Sequence, residues 1–598
     1  MELNVSLKIF DNYKCSHPEN TIKRIEDGFK KIGLDLIYNE KIVDSLGTSI
    51  FSGYALIDIL GFTQECKGVT SLLSKASAYA EMAERFSAGF IDFRIPLPEK
   101  SAKYRKLLKD ISERRFLKGF IKTKNHKSTN FENINKYFHK KISKEKYESF
   151  KEEHLFDFLV DAYSLTHNKT VKIPIHFIEL NSSSNGLAAG NTYEEAISQA
   201  SFEIFERYAA NKIISEKIIC PTIDNDSIQN EIIQNYIKMF ESLNIKVIIK
   251  DFTLNNTIPS IGVVFINYNI ENDENKMKKD HYFKRINVGS HCNLNDAIIR
   301  CFTEYSQNVD TNELIKRKQA DILYNTWVKI LNKKYNGLDD EFKYFATHYD
   351  YYGDLSFLEK GEKISFKDLK CIINNDFLKD IEIITKICKK NNWDLLLIDY
   401  THKILQFPTV RVIIPPISTD YDQLKTKCLN IKNLEERFNF FYGIKNFYRY
   451  VKEDSWIKNK KQIKILIENI EEYLSKQPEY YQFYLTRENS FGQLINLFYI
   501  LPFLHLAADQ PKEALAYFRA LQNLGYHPPY ESSFNKSLYI TKYNPIIYQT
   551  YVDIITEKLE KNQIRFELNS NPFNPEKSTD ELENMYSLLF EKINRSFL

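Results

Sequence analysis

Glutamate at i and i+3, followed at once by arginine, occurs twice in similar surroundings: AYAEMAERFSA at 78–88 and ASFEIFERYAA at 200–210. Five of the eleven positions agree, including both glutamates and the arginine. A helix turns about 100° per residue. Ser77, Glu81, Glu84 and Arg85 therefore share one face, as do Glu203, Glu206 and Arg207. The segment NDAIIRCFTEYSQ at 295–307 places Arg300, Glu304 and Gln307 in the same way. Apolar residues such as Met82, Phe86, Ile204 and Phe205 fill the other sides, so these helices are expected to be largely buried.

On a solvated helix, two glutamates in one turn cost only about 0.2–0.5 kcal/mol and need no function. Two near-copies weigh against that reading, because equivalent helices would aim their acids at a shared space. Carboxylates about 4 Å apart repel by about 4 kcal/mol at an effective dielectric near 20. Mg²⁺ is the natural neutraliser, since it takes oxygen ligands and keeps substrate phosphate in its shell. Arginines suit the phosphate oxygens. The expectation is a magnesium–nucleotide site between helices, built without a P-loop or a G-x-G-x-x-G motif.

The loop NGLAAGNTYEEA at 185–196 precedes the second acidic helix in a chain with only 18 glycines. One reading has the N–H groups of Gly186 and Gly190, with the Asn185 and Asn191 side chains, meeting an anion. The other is a tight turn with Thr192 as N-cap and Glu195 at the capping-box position. The two are compatible.

The elements that must position these residues are mixed. Helices are expected at 19–32, 71–90, 192–215, 294–308 and 381–391, and strands at KVIIKDF (246), PSIGVVFINY (259), WDLLLIDYT (393) and TVRVIIPP (409). The charged segment 100–149 reads as a surface excursion. Beyond about residue 425 strand signals fade and helical spacing takes over. PKEALAYFRALQNLGY at 511–526 has tetratricopeptide-like spacing in a single copy. The apolar run LINLFYILPFLHLAA at 494–508 is too short to span a bilayer and reads as a buried helix pair.

Among 598 residues the formal net charge is +3, with no strongly basic block, so nucleic acid is not an expected partner. The eight cysteines contain no C-x-x-C pair and are expected to be reduced thiols. No export signal is visible, and a cytoplasmic location is expected.

Together, KGVTSLLSKASAYAEMAERF (67), NGLAAGNTYEEAISQASFEIFERYAANKI (185), NVGSHCNLNDAIIRCFTEYSQ (287) and VRVIIPP (410) resemble the YcaO family across most of residues 1–425. The resemblance implies an α+β YcaO-type ATP-binding fold over 1–425 with pseudo-duplicated acidic helices. A helical C-terminal domain over 426–598 would follow, with TPR-like character an open alternative. It implies ATP and Mg²⁺ as cofactors. Glu81, Glu84, Glu203 and Glu206 would be metal ligands, and Ser77, Arg85, Asn185, Arg207, Arg300 and Glu304 nucleotide neighbours. Lys14 and Thr21 match early nucleotide-site positions more loosely. Lys67 and Gln307 are further candidates, and His291 has either a structural or a catalytic reading.

Characterised YcaO proteins activate a peptide amide by phosphorylating its oxygen. SLKIFDNYKCSHPENTI (6), IPIHFIELNSSSNGLAAGNT (173) and LLIDYTHKI (396) are similar to the founding bacterial member. That likeness implies an accessory role in methylthiolation of a small-subunit ribosomal protein, beside a methylthiotransferase or sulfur-donor partner. Thioamide or azoline synthesis on a ribosomally made peptide is one alternative, and a non-enzymatic nucleotide-binding adaptor is another. The final EKINRSFL is not the proline-rich tail frequent in azoline formers, which argues against azoline synthesis. A homodimer fits the family pattern.

Overall fold

The computed structural model describes residues 3–10, 14–41, 51–57, 62–90, 113–123, 126–138, 141–152, 154–182, 184–268, 284–307 and 355–418. Farther on it describes 460–476, 482–484, 494–496, 501–502, 504–506 and 508–523. The boundary near 425, and NSNPFNPEKSTD with the helix expected after it, lie outside these residues.

Six helices matter for the site: α1 (Pro18–Ile32), α2 (Ser71–Ser87), α3 (Tyr193–Ser215), α4 (Glu231–Ser242), α5 (Leu294–Gln307) and α6 (Phe377–Lys390). Three sheets hold them. Strands β1 (Ile37–Lys41), β2 (Phe51–Ile57) and β3 (Phe62–Gly68) form an antiparallel meander. A second sheet runs through β4 (Ile121–Lys122), β5 (Phe158–Ser164), β6 (Lys169–Pro174) and β7 (Leu187–Ala189), with β13 (Leu396–Asp399) and β14 (Thr409–Ile413). Its order is β4-β5-β13-β14-β7, and β6 pairs with β5. The third contains β8 (Thr222–Ile223), β9 (Ile245–Asp251), β10 (Ser260–Asn267), β11 (Lys284–Ser290) and β12 (Lys363–Ile364), ordered β11-β10-β9-β8-β12.

Helix α3 lies between the second and third sheets. Its Ile197, Ile204, Phe205 and Ile213 share a core with Val410 and Val412 of β14 and with Val264, Ile286 and Val288 of β10 and β11. A helix apolar on several sides must be buried on several sides. Helix α2 instead packs with α1 and the meander around Phe29, Tyr79, Met82 and Phe86.

The acidic helices enter through similar corners. Two or three residues separate β3 from α2, β7 from α3, and β11 from α5. The hydroxyls of Thr70 and Thr192 accept the N–H of Leu73 and Glu195, each at 3.1 Å, and so cap α2 and α3. A glycine lets each corner close. A Cβ on Gly68, Gly190 or Gly289 would lie 2.4, 2.7 or 2.2 Å from backbone atoms of Ser74, Ala196 or Ala297.

The structure corrects several expectations. α2 stops at Ser87 rather than Phe90, and α6 begins at Phe377, four residues before Ile381. The segment after residue 112 is not a surface excursion. Its Leu117, Ile134 and Tyr137 enter a core with Phe177, Leu396 and Ile413, so the charged composition hid an apolar inner face. In the C-terminal region, helices at Lys460–Lys476 and Pro511–Asn523 agree with the helical reading. Leu494–Asn496, read as helix, instead pairs with Gln482–Tyr484 as a short antiparallel ladder. Short apolar runs carry no periodicity that separates strand from helix. The seven described cysteines are free thiols. Among the described residues no helix is long and apolar enough to cross a membrane.

Candidate functional site

Between Glu194 and Ala210, the residues of α3 that keep appreciable exposure are Gln199, Glu203, Glu206 and Arg207. Their spacing of four, three and one is a single stripe on an otherwise covered helix. Glu81, Glu84 and Arg85 of α2 and Arg300 and Glu304 of α5 face the same space, and electrostatics reports the convergence.

Burial is the main reason that Glu84 is pushed up to about 8; Arg85 opposes the shift, and Glu81 and Glu203 add to it. Burial likewise lifts Glu206 to about 7, against Arg300 and Arg207, with Glu304 and Glu203 adding. Glu81 is also raised by burial, and Glu203 again adds. Glu304 moves the other way: burial works against its ionisation, but Lys67 and the arginines outweigh burial and hold it low. The charge of Glu203 is therefore felt at Glu81, Glu84 and Glu206, two of which belong to another helix.

The cations sit among these acids. Arg85 reaches Glu81 and Glu84 at 3.3 Å each. Arg207 lies 3.8 Å from Glu203, and Arg300 lies 3.9 Å from Glu206 while donating to Gln199 Oε1 at 3.1 Å. Lys67, the penultimate residue of β3, pairs with Glu304 of α5. Strand β7 serves both glutamate pairs from between them. Gly186, just before it, donates its N–H to Glu203 Oε2 at 3.3 Å, and the Ala189 backbone opposes the upward shift of Glu84.

The anion-cradle reading of the glycine loop is corrected by these bonds. The Gly186 N–H is taken by Glu203, and that of Gly190 by the Pro408 carbonyl at 2.9 Å. The turn reading holds, with Thr192 capping and Glu195 accepting from the Asn191 N–H at 3.4 Å.

Other predicted residues fall in different places. Ser77 is exposed on the acidic face of α2. Asn185 is buried, and its amide nitrogen donates to the Ser418 carbonyl at 3.3 Å. Lys14 and Thr21 gather at the start of α3 instead: Lys14 pairs with Glu195 at 3.1 Å, and the Thr21 hydroxyl donates to Asn191 Oδ1 at 2.8 Å. Eight residues separate Glu195 from Glu203, about 12 Å along a helix. His291 is buried against Phe202 at 4.9 Å, with Nδ1 3.1 Å from Asp296 Oδ2, which supports its structural reading. The Gln307 side chain lies outside the described residues. Gln199 was missed by sequence reasoning, although its place four residues before Glu203 put it on the same stripe.

Among the described residues, no three His, Cys, Asp or Glu side chains come close enough to enclose a metal ion by themselves. A magnesium–nucleotide complex does not require that, because phosphate and water complete the shell around one or two carboxylates. Two observations fit such a ligand. Burial holds Glu84 and Glu206 toward their neutral forms, a cost that a divalent cation relieves. Asn185 Oδ1 is buried with no hydrogen-bond partner.

The profile of the YcaO cyclodehydratase family, described as ATP- and Mg²⁺-binding, matches residues 66–418. The chain belongs to the YcaO family, whose cofactors are ATP and Mg²⁺. An uncharacterised protein of Methanothermobacter thermautotrophicus is 22% identical over 274 residues, covering 43% of this chain and 64% of its own. The ribosomal protein S12 methylthiotransferase accessory factor YcaO of Escherichia coli K12 is 38% identical over 101 residues, 17% of each chain. The chain thus spans less than two thirds of the length of these relatives. Among solved structures, YcaO from Methanopyrus kandleri bound with AMPPCP and Mg²⁺ aligns with a TM-score of 0.40 at 14% identity. That alignment covers 68% of this chain and 93% of the other.

Proposed function

We propose that this protein is an ATP- and Mg²⁺-dependent accessory factor for sulfur modification, most specifically methylthiolation of a small-subunit ribosomal protein. The observation that carries the nucleotide part is the coupling of Glu203 to Glu81 and Glu84 across two helices, with three arginines among them. In this reading Glu81, Glu84, Glu203 and Glu206 hold Mg²⁺. Arg85, Arg207 and Arg300 hold phosphate oxygens. Glu304 keeps Lys67 in place, and Ser77 and Asn185 border the nucleotide. Lys14 and Thr21 fix the start of α3 through Glu195 and Asn191. ATP supplies a phosphoryl group that turns an amide oxygen into a leaving group. The matched segment of the E. coli accessory factor supports the methylthiolation role, with a methylthiotransferase or sulfur-donor protein as partner.

The family's description as cyclodehydratases favours a second reading, in which the same site makes an azoline or thioamide in a peptide. Phosphate release by the purified protein with Mg·ATP tests the enzymatic part, and its absence would leave a nucleotide-binding adaptor. Mass spectrometry of small-subunit ribosomal proteins from wild-type and deletion cells tests the substrate. An unchanged modification after deletion rules out the methylthiolation role.

A further inference from the structure

Ser52 of β2 is only 4% exposed, yet its hydroxyl has no hydrogen-bond partner. A buried hydroxyl without a partner is costly and calls for an explanation. Register supplies one. Ser52 stands directly opposite Lys67 of β3. Opposed residues on neighbouring antiparallel strands project from the same face, with Cβ atoms about 4.5–5.5 Å apart. That face is opposite the one packed on α2, because the alternate residues Gly53, Ala55 and Ile57 pair with Cys66, Gln64 and Phe62. Ala55, Ile57, Phe62 and Cys66 belong to the core shared with Tyr79 and Met82.

Lys67 connects this face to the site. Its ammonium pairs with Glu304 of α5 and is felt at Glu81 of α2. The register thus places Ser52 on the strand face that also carries Lys67, the residue that reaches Glu304 in the acidic cluster. An unused hydroxyl on the same strand face as a lysine is chemistry suited to a phosphate oxygen.

We infer that Ser52 is a further nucleotide-binding residue, its hydroxyl donating to a phosphate oxygen of ATP beside Lys67. The inference rests on the nucleotide reading of the site given above. It extends the site to β2, a strand that lies before the family match at 66–418.

The test uses the full chain with AMPPNP·Mg²⁺ in calorimetry and ATP·Mg²⁺ in phosphate-release kinetics. Ser52→Ala is expected to weaken AMPPNP·Mg²⁺ binding and raise KM for ATP by about three- to tenfold. Its thermal midpoint should stay equal or rise, because an unpaired buried hydroxyl has been removed. Ser52→Thr, which keeps the hydroxyl on a strand, should recover most of the affinity. Pyrophosphate·Mg²⁺ as the probe should show the same loss in Ser52→Ala, whereas adenosine binding should not change. Wild-type affinity for AMPPNP·Mg²⁺ in Ser52→Ala overturns the assignment of Ser52 alone. A wild-type protein that fails to bind AMPPNP·Mg²⁺ overturns the nucleotide reading and this inference together.

Discussion

Gly186 donates its backbone N–H to Glu203 Oε2 at 3.3 Å, so the loop leading into α3 orients an acid about three turns inside that helix. Gly186 has φ +79°, and a Cβ there would lie 2.4 Å from the Val412 carbonyl oxygen. Gly186→Ala is therefore expected to destabilise the fold by about 1–3 kcal/mol. It should also cost nucleotide turnover at temperatures where the variant remains folded. Chemical denaturation gives the first quantity and phosphate release the second. Full turnover in the variant would separate Glu203 from the loop.

That glycine shows what the sequence could and could not disclose. The repeat of glutamates and arginine exposed the acidic helices, because helical geometry fixes which residues share a face. It also led to the YcaO resemblance, and the family match bears that out. The role of the glycines was less legible. A glycine-rich loop before a helix reads equally as an anion cradle or as close packing. Tertiary acceptors, Glu203 for Gly186 and the Pro408 carbonyl for Gly190, decide between them. Gln199 escaped notice because an uncharged residue on a charged stripe acquires meaning only from its partner Arg300. The inward face of residues 113–138 was hidden by lysines on the same short elements.

Glu84→Ala and Glu206→Ala should each lower phosphate release by roughly 100-fold or more, the loss expected when a metal site is dismantled. Both variants should stay folded. Each acid keeps only 12% or 15% of its side-chain exposure and sits there at a desolvation cost, so truncation removes a penalty as well as an ion pair. Wild-type turnover in either variant would remove that glutamate from the metal assignment.

The same two acids predict a pH dependence. Glu84 at about 8 and Glu206 at about 7 are raised by burial from an unfolded value near 4.3. Between those limits the folded protein holds protons that the unfolded chain has released. Their contribution to stability is full below about pH 4 and is lost as pH rises through 7 and 8. Mg²⁺ binding needs the ionised forms. The thermal shift produced by Mg²⁺ with AMPPNP should therefore be larger at pH 8.5 than at pH 6. A shift that is flat or reversed across that range would contradict the role of Glu84 and Glu206 as ligands.

The family match begins at residue 66, but the fold does not. Lys8 and Asp380 form an ion pair at 2.8 Å with side chains 2% and 0% exposed. Asp380 also accepts from Ser198 at 3.3 Å and from Asn374 at 2.7 Å, so one carboxylate ties the N-terminal segment to α3 and α6. Backbone bonds run beside it, from the Lys8 N–H to the Asn375 carbonyl at 2.9 Å and from the Phe377 N–H to the Ser6 carbonyl at 3.0 Å. Breaking a buried pair from one side leaves a charge with no counterpart, at a cost of about 3–5 kcal/mol. Lys8→Met should therefore destabilise by that amount in urea denaturation. Lys8→Met with Asp380→Asn should recover most of the loss, because the amide oxygen still accepts from Ser198 or Asn374 while no charge is stranded. A loss below about 1 kcal/mol in the single variant, the range of exposed pairs, would mean that solvent reaches this pair.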